Sequence, residues 1–304
     1  MQRLREDGLT SNEGSPKSPR NARAVLVVSF MLVLGFGLWG LIAPKMMIAT
    51  SVGTVDFVLT SVGWLYLALC SGFLVLAGWL AFGRYGSVRL GPDDAQPEFS
   101  TVSWLAMLFA GGMGAGLVFW GVAEPISHFA NPPGDVTKST AESARLSMML
   151  TNLHWGLHAW SIYAVCALVI AYFTFRRGES SMISTPIRAL FRGRTGESVG
   201  KVADVLAVLS VVFGLAGSLA MGTLGVRSGS FYAFGTSQTV TASMVSLAIL
   251  FVCYMLSATT GVDKGIKILS NLNMVIAVLI MLLVLFAGPT QYILEAFIDS
   301  IGAY

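Results

Sequence analysis

The chain alternates long apolar stretches with short polar ones. Seven apolar spans, at 24–43, 57–83, 102–122, 146–175, 202–226, 239–260 and 265–288, each reach the roughly 20 residues that a helix needs to cross a bilayer. The second and fourth are long enough to tilt or to project from the membrane. Ahead of them, residues 1–23 are polar, hold Pro16 and Pro19 and show no periodicity, which predicts a disordered tail. After the last span, Ile293, Phe297 and Ile301 recur every four residues, with Glu295 and Asp299 between them. Residues 289–304 therefore read as a short amphipathic helix on the membrane surface. The predicted class is an all-α polytopic membrane protein with seven transmembrane helices over 24–304.

Composition supports this pattern. The 304 residues are 55% hydrophobic and 12% charged, with mean hydropathy +0.72, whereas soluble domains carry about 25% charge. A net charge of +3 gives no argument for a nucleic-acid partner. Cys70, Cys166 and Cys253 all lie in apolar spans, at spacings that fit neither a metal site nor a disulfide framework. Orientation follows from the basic residues. With the N-terminus in the cytoplasm, only Lys45, Lys138, Arg145 and Arg227 of the 19 lysines and arginines fall outside. That bias predicts a multi-pass protein of the cell inner membrane with an odd number of spans. The basic segment 176–201 follows from the same rule, and anionic lipid headgroups are a second candidate partner for it. No Walker, dinucleotide, metal-hydrolase or nucleophile-elbow motif is present, which argues against ATP-driven transport and against an enzyme.

Two motifs carry candidate chemistry. Span three contains Gly111-Gly112-Met113-Gly114-Ala115-Gly116. Each glycine in a helix costs about 1 kcal/mol relative to alanine, so this span is weak in mid-membrane. One reading is local unwinding that frees carbonyls for a small cation or for close approach of a solute. The other is helix packing through the Gly112/Gly116 pair. Glu124-Pro125 lies at its outer end, where Glu124 reads as binding backbone amides, lining a vestibule or standing as a solvated loop carboxylate, and His128 reads as structural.

Span four carries His154-Trp155-Gly-Leu-His158-Ala-Trp160-Ser-Ile-Tyr163. On one continuous helix at about 100° per residue, Tyr163 and Trp160 fall about 80° and 140° from Trp155. The three rings then share one arc, with both histidines on the other side. Uncharged aromatic rings suit a trimethylammonium group, at about 0.5–2 kcal/mol per good contact. The alternative is an interfacial aromatic belt. The histidine pair lacks a nearby Cys, Asp or Glu to complete a zinc site. In span five, Ser218 and Thr223 lie among glycines and read first as packing residues; Asp263-Lys264 reads as an ion pair or cap opening span seven.

The chain resembles the betaine/carnitine/choline transporter family. The resemblance is carried by Phe109-Ala-Gly-Gly-Met-Gly-Ala-Gly-Leu-Val-Phe-Trp-Gly-Val-Ala-Glu-Pro125 and by His154 to Tyr163. It continues through Asp263-Lys-Gly-Ile-Lys-Ile-Leu-Ser-Asn-Leu-Asn273 and Gly288-Pro-Thr290. It implies two leading helices and the first repeat of a five-plus-five inverted-repeat fold, a homotrimer, and transport of quaternary ammonium solutes such as glycine betaine, choline or carnitine. It also implies substrate contacts from Trp155, Trp160, Tyr163, Gly112, Gly114 and Gly116, and sodium ligation by the carbonyls of Ala110 and Met113. Glycine at 116, where proton-coupled choline carriers tend to have aspartate, implies sodium as the coupling ion, with proton coupling or exchange as the alternative. The family's second repeat has no counterpart here. The expectation is therefore a fragment that does not transport alone, or one half of a split transporter; a non-transporting membrane subunit is the competing class.

Overall fold

The structure is a computed structural model that describes residues 19–191, 193–259 and 265–304. The described residues are helical, without strands. In order, the helices are α1 (Pro19–Ile42), α2 (Pro44–Phe82), α3 (Thr101–Ala130), α4 (Ala141–Trp155), α5 (Leu157–Ala171), α6 (Ser184–Leu190), α7 (Gly193–Phe234), α8 (Val240–Thr259), α9 (Lys267–Ala287) and α10 (Thr290–Ala303). A π-helical turn, Tyr172–Arg176, closes α5. Six stretches are long and apolar enough to cross a membrane, and α3, bent by 56°, makes a seventh. The protein is a multi-pass membrane protein.

Boundaries differ from the expected ones where proline is permissive. Span two begins at Pro44, directly after Ala43, with no loop before 57; proline is tolerated at the first helical position, where its missing N–H costs nothing. Span three runs on through Pro125 to Ala130. Span five extends from Gly193 to Phe234, beyond both expected ends. Span four is not one helix. It breaks at Gly156, which adopts an extended conformation (φ −91°, ψ −152°) between α4 and α5. The amphipathic terminal helix forms as expected, at Thr290–Ala303. Asp263-Lys264 lies outside the described residues.

The chain divides into two compact units. One holds α1, α2 as far as Ser61, and Leu168–Val212; the other holds Val62–Ala167 and Phe213–Tyr304. In the first, Asp204 of α7 is buried and its Oδ1 accepts the Ser184 N–H at 2.8 Å, so α6 is held at its own N-terminus. Arg188 Nη2 lies 3.8 Å from Oδ2 of the same carboxylate. In the second unit, α3 packs between α4 and α9, and α10 rests on α4 and α9. Asn271 of α9 donates to Ser103 Oγ of α3 at 3.3 Å, and α4 opens with a reciprocal Thr140/Ser143 capping box.

Burial runs opposite to that of a soluble protein. Val25 and Ala106 are the buried apolar residues among those described, whereas the buried polar group includes Ser103, Ser143, Ser147, Ser161, Thr223, Ser270 and Ser300. Small hydroxyl residues let helices approach closely and satisfy themselves on their own backbone, as Ser147 does on Ala144 O and Thr223 on Leu219 O. The large apolar side chains face outward, the arrangement a hydrocarbon solvent favours.

Candidate functional site

All the sequence-derived site residues lie in the second unit. The glycine run of α3 holds a kink. Gly114 is non-helical (φ −31°, ψ −122°), and Ala110, Gly112 and Met113 lie in helical backbone just before it. The bend of 56° separates Thr101–Gly111 from Gly116–Ala130. A helix interrupted this sharply in mid-span needs a local cause, and clustered glycine is one.

Beyond the kink, Gly116 meets the aromatic motif. A Cβ at Gly116 would stand 3.5 Å from Trp155 Cη2, so the indole lies over Gly116 with room for one methyl group between them. Trp155 ends α4, and its Nε1–H donates to Glu124 Oε2 at 2.5 Å. His154 Nδ1 pairs with the other oxygen, Oε1. A second histidine, His128 of α3, brings Nε2 to 3.5 Å from that same Oε1. Glu124 is thus 8% exposed and not a solvated loop carboxylate.

The break at Gly156 overturns the wheel drawn through one continuous helix. Trp160 and Tyr163, both on α5, keep their relation, with ring centroids 5.4 Å apart and planes inclined by 38°. Trp155 belongs to the preceding helix and joins them through its carbonyl, which accepts the Trp160 Nε1–H at 3.0 Å. The break also leaves the His158 N–H without a regular helical acceptor. Tyr304 Oη takes it at 3.0 Å and stands 2.6 Å from His158 Nδ1. Ser161 is buried and donates to His158 O at 2.7 Å and towards Cys70 O at 3.3 Å. Tyr163 is 63% exposed, so the arc of rings is open on one side.

The expected absence of an acidic partner for the histidines is likewise overturned. Glu124, His128 and His154 place one ligand-type atom each within 4.8 Å of the others. The four-residue spacing of His154 and His158 suggests those two as a pair. The chain instead pairs His154 with Glu124, because α3 and α4 run side by side.

A family model described as BCCT, betaine/carnitine/choline family transporter, matches residues 24–304. The chain belongs to that family. Among its relatives, the glycine betaine transporter OpuD of Bacillus subtilis is 43% identical over 269 residues, covering 88% of this chain and 52% of that protein. A probable glycine betaine transporter of Desulfitobacterium hafniense is 38% identical over 287 residues, 94% of this chain and 57% of the other. The betaine/ectoine transporter LcoP of Corynebacterium glutamicum is 34% identical over 289 residues, 93% of this chain and 45% of the other. The chain therefore spans about half the length of the relatives it matches. The kinked glycine run, Trp155 and the Trp160/Tyr163 pair all fall within the stretch that the family model covers.

Proposed function

We propose that this chain supplies the first half of a secondary transporter for compatible solutes of the glycine betaine type. Trp155, Trp160 and Tyr163 offer ring faces to the trimethylammonium group. Gly112, Gly114 and Gly116 let the solute approach the backbone, and the Ala110 and Met113 carbonyls serve a coupling sodium ion. The observation that carries this reading is the meeting of the two motifs: the Trp155 ring lies over Gly116, two residues past the kink at Gly114. Broken helices whose backbone lines a cavity are how many transporters build ion and solute sites.

The exposed face of Tyr163 leaves the arc open. In our reading the missing wall comes from the other half of the relatives' length, in the same chain or a second one, so 304 residues alone do not transport. The assembled protein is a homotrimer in the inner membrane with a cytoplasmic N-terminus. Relatives named for ectoine as well as betaine support a solute class broader than one compound.

The test is uptake of labelled glycine betaine in cells lacking their own betaine uptake. The chain is expressed alone and joined to the C-terminal half of a relative. Uptake is expected only in the joined form, to vanish when potassium replaces sodium, and to fall at least tenfold in Trp155→Ala and Trp160→Ala. Unchanged uptake in both variants removes the aromatic site; undiminished uptake without sodium removes the coupling ion.

A further inference from the structure

We propose that Glu124, His128 and His154 form a binding site for zinc or a similar borderline divalent cation, which ties α3 to α4 beside Trp155. Glu124 and His128 stand four apart on α3, so they share a face; His154 reaches them from the last turn of α4. One carboxylate and two imidazoles, with a fourth position left to water, is a recurring zinc set.

The His128 separation leaves room for a cation, whose entry displaces the hydrogen bond between His154 Nδ1 and Glu124 Oε1. His128 Nε2 stands 3.5 Å from Glu124 Oε1, too far for a good hydrogen bond. It matches the separation of about 3.3–3.5 Å between two ligands of one tetrahedral zinc with bonds near 2.0–2.2 Å. Two histidines converge on one oxygen, while the Trp155 indole N–H holds the other. That leaves Glu124 to ligate through Oε1 alone, its orientation fixed by a neighbour outside the coordination shell. The imidazole rings of His128 and His154 are 5.8 Å apart and inclined by 51°, so neither stacks against the other and closes the gap. His154 is half exposed, which gives an ion a way in. On entry the cation replaces the proton at His154 Nδ1; the ring carries its proton on Nε2 instead and ligates as neutral imidazole. Nitrogen donors and low ligand number select zinc over magnesium or calcium, which take oxygen-rich shells.

The three histidines are all the chain has, which makes assignment simple. The purified 304-residue chain in detergent is titrated with zinc chloride against a chromogenic chelator. One equivalent is expected, uncompeted by excess magnesium or calcium. It should be lost in the double variant His128→Gln/His154→Gln and kept in His158→Gln. Trp155→Phe, which removes the indole donor together with part of the ring, should weaken binding about 10–100-fold. Cobalt substitution of the unaltered chain provides a readout that needs no variant: intense visible bands of a four-coordinate ion are expected. Undiminished zinc binding in the double variant overturns the proposal, as does a cobalt spectrum identical to that of the aqueous ion. Neither readout depends on transport, so the site stands or falls apart from the transport reading.

Discussion

The indole N–H of Trp155 donates to Glu124 Oε2 at 2.5 Å, which joins two residues 31 apart in sequence and on different helices. The bond positions an aromatic ring by its polar edge while Cη2 and Cζ3 of the same ring lie over Gly116. Glu124 is buried, so this acceptor is not readily replaced by water.

Glu124→Ala is accordingly expected to destabilise the second unit by about 1.5–3 kcal/mol, the range for hydrogen bonds to charged groups. Trp155→Phe keeps a smaller ring and leaves Glu124 its histidine partners, and should cost less. Thermal unfolding in detergent with a double-mutant cycle separates the pair. A coupling energy above about 0.5 kcal/mol is expected for residues in contact, and strict additivity contradicts the bond.

The glycines of α3 should differ in their response to alanine. At Gly116 an added Cβ would make ordinary contact with Trp155, so Gly116→Ala is tolerated, whereas Gly116→Leu forces the indole off its seat. Intrinsic fluorescence should stay near that of the unaltered chain in the first and shift in the second. An equal shift in both contradicts the close seating of the ring.

At Gly114 nothing stands within 4 Å of an added Cβ, so sterics do not oppose alanine there. Its effect is on the backbone: alanine favours the helix by about 1 kcal/mol over glycine and should straighten the 56° bend. Spin labels at Leu105 and Ile126, both exposed, in a cysteine-free background should move apart in Gly114→Ala. An unchanged separation means that the bend is set elsewhere.

The apolar spans were legible because bilayer thickness imposes a length that composition alone reveals. The terminal amphipathic helix was legible for a similar reason, since Ile293, Phe297 and Ile301 mark one face. The break at Gly156 was not: one glycine among strong helix formers resembles a tolerated one, and what distinguishes it is Tyr304, far along the chain, which accepts the freed His158 N–H. Nor was the Glu124–His154 pairing. Glu124 lies about two turns from the end of α3, and His154 more than three turns into α4. Their meeting depends on the bend of α3 and the path of residues 131–140, which no periodicity encodes.

The seat of Tyr304 gives the last prediction. Its ring lies close enough to Gly156 that a Cβ there would stand 2.9 Å from Tyr304 Cε2. Its hydroxyl serves both the backbone N–H and the ring Nδ1 of His158. Tyr304→Phe keeps the ring and removes both bonds, leaving the N–H of a broken helix without its acceptor, at about 1–3 kcal/mol if it stays dry. Gly156→Ala attacks the same contact from the other side by volume, and its Cβ also meets the backbone oxygen of Asn152. Both should loosen α10, which otherwise rests on α4 and α9. Hydrogen exchange over Thr290–Ala303 should quicken in each variant, with exchange over α8 unchanged. Equal protection in Tyr304→Phe and the unaltered chain shows that packing, and not this hydroxyl, holds α10 in place.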